Sequence, residues 1–429
     1  MKLLRNSQLI SVCIIIAAFT GCSKSNNVPP GSEGEYAVFA WNDLGMHCLN
    51  PTYDKLVILP PYNNVLVQVV RRGELPEIVT TGITVSYKLT NNSTSANKRS
   101  YGGFWDNSLK LFGTTLPGDI GLTGNGLTGN MTVNDNYYIA EGIPVVPVYD
   151  NGVWDPYQII EVTVTDGNNS VVARTKATVP TSDEINCAKC HGTNAFDDIL
   201  SEHDSEHGTN FSVASNRPVL CASCHPSPAL GINTGPEMYL SRAIHGSHAS
   251  KPGIGCYDCH PGPTTKCNRS ISHTSDNGNC TTCHGTMANV ASTIGSGRVP
   301  WVTEPACASC HTGVSEVSTG AALYRNSSGH GGLHCTACHG SPHATYPSTL
   351  ESDNYQSKQY QGFTSEIKSI GSCGVCHDSS RGESDIDEFS EEHGGTNPEK
   401  KIGCHACHTV VPVNTAKWPH GYTWKNSNI

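Results

Sequence analysis

The stretch Cys187-Ala188-Lys189-Cys190-His191 decides the reading of this chain, because its C-x-x-C-H spacing returns seven more times before the end. The later copies are Cys221-Cys224-His225, Cys256-Cys259-His260, Cys280-Cys283-His284, Cys307-Cys310-His311, Cys335-Cys338-His339, Cys373-Cys376-His377 and Cys404-Cys407-His408. They use sixteen of the 20 cysteines. Apolar runs longer than four residues vanish across the same region, so residues 181–429 could not bury enough surface of their own to offset chain entropy. Successive motif histidines are 34, 35, 24, 27, 28, 38 and 31 residues apart, too uneven for a solenoid repeat. The repeated unit is a binding site rather than a fold.

Two thiols at this spacing can add to the two vinyl groups of one haem, and the adjacent histidine then turns its imidazole onto the iron. Zinc knuckles and thioredoxin-like pairs also use C-x-x-C, but neither requires a histidine directly after the second cysteine in eight copies. The motifs therefore predict eight covalent c-type haems, with His191, His225, His260, His284, His311, His339, His377 and His408 as proximal iron ligands. Eight macrocycles would supply the apolar core that the local sequence lacks.

Twelve histidines remain for the distal positions. His203 and His207 lie four apart in a predicted helix, and His245 and His248 three apart in AIHGSHA, so each pair can present neighbouring imidazoles from one element. His207, His245, His330, His393 and His420 each precede a glycine, which lets backbone pass close to a porphyrin. His343 follows a proximal histidine by four residues, and His405 lies inside its own C-x-x-C, so it would serve a different haem. His47 completes the candidate set, with His273 and His334 ranked below it.

Outward from the motifs, residues 36–180 have another character. Short β-branched runs (KLVILP, NVLVQVV, EIVTTGITVSYKL, MTVNDNYYIA, YQIIEVTVT, SVVARTKATV) alternate with turn dipeptides such as Asn91-Asn92, Pro117-Gly118, Asp150-Asn151 and Asp166-Gly167. This pattern predicts an all-β antiparallel sandwich of immunoglobulin-like kind, with GLTGNGLTGN (121–130) as a long surface loop. The fold class expected overall is that β head followed by a loop-rich, short-helical multihaem domain over 181–429. Before the head, Lys2 and Arg5 precede an apolar run from Leu9 to Phe19, too short to span a bilayer comfortably and suited to a secretory signal over 1–21. Phe19-Thr20-Gly21-Cys22 resembles a bacterial lipoprotein box, which would make Cys22 the lipidated first residue of the mature chain, and 22–35 reads as a flexible tether. Membrane association would then be through lipid alone.

With Cys13 in the signal and Cys22 lipidated, Cys48 and Cys267 are left over. In an oxidising compartment they would form a disulfide pinning the head to the third and fourth haems, or else remain as two buried thiols. The chain carries 27 basic and 37 acidic residues, a net charge of -10, with 15% charged residues overall. That balance lacks the basic patch that nucleic acid needs.

The motif series resembles the large multihaem c-type cytochromes of metal-respiring bacteria. So do Tyr324-Arg325-Asn326, Gly329-His330-Gly331-Gly332, Gly340-Ser341-Pro342-His343 and Trp41-Asn42-Asp43-Leu44-Gly45-Met46-His47-Cys48. The resemblance implies an outer-membrane, periplasmic or cell-surface electron carrier. Its partners would be redox proteins, other cytochromes or extracellular acceptors, and some such proteins polymerise into wires. It also admits an alternative, since octahaem enzymes act on nitrite, hydroxylamine or tetrathionate. Several of those replace the proximal histidine of the active haem by lysine, whereas all eight motifs here end in histidine, and bis-histidine ligation leaves no open iron for substrate.

Overall fold

Strands β1 (Tyr36–Asn42) and β4 (Asn63–Arg71) are buried along nearly their whole length, on both faces. Their sequences YAVFAWN and NNVLVQVVR are accordingly almost continuously apolar, as strands covered on both sides must be. The computed structural model describes residues 34–73, 75–262, 264–273, 280–305, 307, 323–361, 367, 369–370 and 375–377, and the backbone alone of His330, 408–410 and 423–424. Cys22, Cys310, His311, Cys373, His393, Cys404, His405, Cys407 and His420 lie outside the described residues, as do the signal segment and most of the tether.

Between β1 and β4 come β2 (His47–Cys48) and β3 (Leu56–Val57). After them follow β5 (Glu77–Ile78), β6 (Ile83–Leu89), the short helices α1 (Gly103–Asp106) and α2 (Ser108–Phe112), β7 (Thr128–Asn130), β8 (Thr132–Asn134), β9 (Tyr137–Ile143), β10 (Tyr157–Asp166) and β11 (Val171–Ser182). One sheet runs β1-β4-β9-β8 with β5 on β4, the other β2-β11-β10-β6-β7. Pairing is antiparallel except for the two-residue contact of β2 with β11. Val38, Val65, Val67 and Val69 of the first sheet share one core with Val85, Tyr87, Ile160, Val162, Val164 and Val179 of the second. The N-terminal region is thus β-rich, with its sheets facing each other over a common core. Strand β10 (YQIIEVTVTD) alternates buried and part-exposed positions, as expected for a strand covered on one face.

Three expectations change. Strand β1 was not among the predicted runs, because full burial removes the period-two signal. MTVNDNYYIA is a hairpin, β8 turning into β9 at Asp135, which has φ 55°. The segment 121–130 is not wholly a surface loop, since Leu127 enters the main core and Thr128–Asn130 pairs with β6 as β7.

Beyond β11 the described chain is short-helical: α3 (Ala188–His191), α4 (Ala195–His207), α5 (Leu240–His248), α6 (Cys280–His284), α7 (Met287–Gly295), α8 (Cys335–His339) and α9 (Tyr355–Gln361). The predicted helix FDDILSEHDSEHG is α4, ending at Gly208 in the left-handed conformation. The outer face of the first sheet, Ala37, Phe39, Trp41, Leu66 and Val70, packs on Ala337, Tyr346, Tyr360, Ile370 and Val375. Gln356 adds hydrogen bonds to the backbone of Ala40, and Tyr360 Oη exchanges them with Val38. The buried pair Arg269–Asp353, 2.7 Å apart, ties α9's approach to the 264–273 segment. No described helix is long and apolar enough to cross a membrane.

Candidate functional site

Between the sheets and the short helices runs a cavity of about 3750 Å³, several times the roughly 300–1,000 Å³ of a single-ligand pocket. Its wall is mainly apolar, and cysteines and histidines of the motifs line it throughout. Cys187, Cys190 and His191 sit at the start and end of α3; Cys280, Cys283 and His284 form α6; Cys335, Cys338 and His339 form α8. One helical turn puts both thiols and the imidazole on the same side. The Cys221 and Cys256 motifs do so with 3₁₀ turns.

Neighbouring motifs touch. Lys189 in the first motif donates to Asp258 in the third at 2.6 Å, and the Cys280 thiol lies beside that of Cys256. Tyr324 lies among Cys307, Cys335 and Cys338 and donates to the Gly340 carbonyl. The Cys376 backbone carbonyl accepts from Gly73 N–H, two residues beyond β4.

The imidazoles pair across the cavity. Ring centres of His191 and His248 are 6.3 Å apart, those of His245 and His260 6.0 Å, and those of His284 and His343 5.9 Å. A metal–imidazole bond of about 2.0–2.1 Å, with the ring centre about 1.1 Å further on, puts two rings sharing one metal about 6.2 Å apart. Each pair joins a motif histidine to a predicted distal candidate. His248 and His245 come from the same helix, α5, and so serve the first and third motifs together. His203 lies near His225 of the second motif, and the His207 ring is tilted against that of His203 at 4.9 Å, with no motif histidine facing it among the described residues.

The far nitrogen is anchored in seven of these rings. Nδ1 of His191 bonds to the Asp198 carboxylate (2.8 Å), that of His225 to the Met238 carbonyl (2.9 Å), and that of His339 to the Ser369 hydroxyl (2.9 Å). Among the distal candidates, Nδ1 of His245 donates to Ser241 O, of His248 to Ile244 O and of His343 to Leu44 O, while that of His203 meets Thr209 Oγ1. Occupying Nδ1 leaves Nε2 for a metal, the usual arrangement around ligating histidines. Burial pushes His260 down to about 4, with His245 adding to it, and pushes His343 to about 4 against the opposing Leu44 carbonyl. Burial also lowers His245, His284 and His203. Each shift favours the neutral ring, the form that binds metal. The donor set, the anchoring and the spacing all fit covalent haem with an imidazole on each side.

Other candidates are placed differently. His47 gives Nε2 to Asp43 Oδ1 (2.8 Å), Asp43 Oδ2 accepts from Asn64, and the His47 ring stacks on Tyr62; its ε nitrogen is thus engaged, unlike those of the paired rings. His334 is buried between Trp41 and Tyr137. His273 approaches Thr345. The side chains of His330 and His408 lie outside the described residues. Cys48 and Cys267 lie close together, burial first and Cys267 second pushing the Cys48 thiol up. His191 Nδ1, Asp198 and Glu202 place ligand atoms within 4.8 Å of one another, but the two carboxylates are exposed and Nδ1 is already bonded.

Sequence reasoning missed the anchors. Asp198, in the first turn of α4, was legible as a carboxylate seven residues after a motif histidine; the Leu44, Met238 and Ser369 acceptors come from remote segments and left no local signal. Compared with known proteins, the chain matches no family model and no curated sequence.

Proposed function

We propose that this chain is an exported octahaem c-type cytochrome that carries single electrons along closely spaced, bis-histidine-ligated haems to redox partners or extracellular acceptors. The observation that carries the reading is the set of three imidazole pairs at 5.9–6.3 Å, each combining a motif histidine with a ring from elsewhere in the chain. When bound, the haems supply one-electron chemistry at iron. The chain's own residues do the rest. The motif cysteines would hold each group in place, the paired imidazoles would supply its two ligands, and the Nδ1 acceptors fix the orientation of the rings that carry them. Helix α5 brings two sites within reach of each other, and the Lys189–Asp258 and Cys256–Cys280 contacts continue that line of sites.

On this reading Cys22 carries lipid, 22–35 is the tether, and the two-sheet head is an immunoglobulin-like module against which the haem-bearing chain folds, as a monomer or within a homopolymer. A pyridine haemochrome count on the purified protein, paired with low-temperature EPR of the oxidised form, tests it. Eight haems with low-spin signals alone support electron carriage. Eight haems with one stoichiometric high-spin signal would instead favour the reductase reading, and absence of haem would end both.

A further inference from the structure

The anchors of the motif histidines are not alike. His225 and His339 meet a neutral carbonyl and a neutral hydroxyl, whereas His191 meets a carboxylate at 2.8 Å. Glu202 stands 3.8 Å from the same nitrogen. Among the described residues, neither Asp198 nor Glu202 has a lysine or arginine partner, while the adjacent Asp197 is neutralised by Lys55 and Arg217. The helix thus spends its available cations on the residue that does not touch His191 and leaves the one that does with its full charge. Asp198 sits in the first turn of α4, whose amide ends favour a carboxylate there, so its orientation toward His191 is set by the helix rather than by the ring.

A carboxylate accepting from Nδ1 draws the ring toward imidazolate and raises its basicity at Nε2, which favours the more positive state of a metal bound there. We propose that Asp198 is a positioning residue that makes the first haem site a low-potential one, so that this end of the chain is poised to give electrons to the third site across α5. The proposal rests on the electron-carrier reading above. In the step concerned one electron leaves ferrous iron at the first site and reduces ferric iron at the third; no bond is made or broken and no proton leaves the protein.

The neighbouring geometry makes the third site the natural acceptor. His248 and His245 sit on successive turns of one helix, and Lys189 of the first motif is bonded to Asp258 of the third. His260, the motif histidine of that third site, faces the His245 ring at 6.0 Å, and among the described residues no carboxylate pairs with it. A difference in the charge beside the two motif histidines is therefore built into adjacent sites, in the direction that moves electrons away from α4.

Spectroelectrochemical titration of the full-length protein against Asp198→Asn is the test, with the haemochrome count measured on both. Asparagine keeps the shape and can still accept a hydrogen bond but removes the charge. One haem is expected to shift toward the reduced form by about tenfold, which is about 59 mV for a one-electron couple. Asp198→Glu should restore most of the shift, and Ser369→Asp, which puts a carboxylate beside His339, should move one other haem the opposite way. A wild-type protein without haem would overturn the electron-carrier reading itself. Eight haems in both proteins with superimposable titrations would overturn only the role of Asp198. Loss of one haem in both Asp198→Asn and Asp198→Ser would also overturn it, by assigning the residue to attachment.

Discussion

Replacing Gly45 by alanine should break the junction between the β head and the fourth site. Gly45 has φ +77°, and a Cβ there would meet the Pro342 carbonyl oxygen at 1.6 Å, with the backbone of both segments on either side of the contact. Reaching even 3.0 Å requires the two segments to part by about 1.4 Å, which is the difference between that limit and the present approach. Leu44, one residue away, accepts the 3.0 Å hydrogen bond from His343 Nδ1, and that bond cannot persist through such a shift. The left-handed conformation costs an alanine about 1–2 kcal/mol. Overpacking adds about 1–3 kcal/mol, and the lost hydrogen bond about 1 kcal/mol. The sum is about 3–6 kcal/mol. Gly82 is the internal control, with φ +73° and no atom within 4 Å of an added Cβ, so Gly82→Ala should cost only the first of these amounts. Urea unfolding followed by far-ultraviolet circular dichroism measures the difference, and EPR reports whether one haem alone becomes high-spin in Gly45→Ala. Equal destabilisation by the two substitutions, with unchanged EPR, would refute the view that this loop holds His343 in place.

Three further outcomes are expected. His248→Ala and His245→Ala should each convert one haem to high-spin, and the double variant two, because α5 serves two separate sites; EPR spin quantitation decides between this and a single shared site. Partial desolvation raises Asp204, but hydrogen bonds from Ser212, Thr209 and Phe211 outweigh it and hold the carboxyl well below its ordinary value of 3.8. Because the folded-state value is depressed, its contribution is complete above about pH 4 and is lost as pH falls; hydrogen exchange should show the Phe211 and Ser212 amides losing protection there, and Asp204→Asn losing it at all pH. Burial pushes Cys267 up to about 11 and Cys48 higher still, so at pH 8 about a thousandth or less of either is thiolate. Both should therefore resist iodoacetamide in the native protein and react after unfolding without reductant; recovery of a linked peptide by non-reducing mass spectrometry would show that the mature protein bridges them instead.

The contrast between β10 and β1 shows what could be read early. Strand β10 lies against a core on one face, so its alternation survived into the sequence. Strand β1 is covered on the other face as well by Tyr346, Tyr360 and Ile370, contributed more than three hundred residues later, and nothing local announces that. The Leu127 contact had the same character: a glycine-rich repeat reads as loop unless its partner strand is known.

The site divides along the same line. C-x-x-C-H is a contiguous motif whose chemistry depends on residues within one helical turn, so the eight proposed attachment positions are legible in the sequence alone, together with the pool of histidines available as second ligands. Which imidazole faces which depends on contacts between segments far apart in the chain. His284 meets His343 because the 264–273 segment, the Gly45 loop and the 340–345 hairpin converge, and His191 meets His248 because α5 crosses between two motifs. The acceptors on Nδ1 are backbone carbonyls as often as side chains, and a carbonyl has no sequence signature. Composition could declare that histidines outnumber the motifs, but only tertiary packing chose their partners, because ligation is a relation between two surfaces and not a property of either stretch of chain.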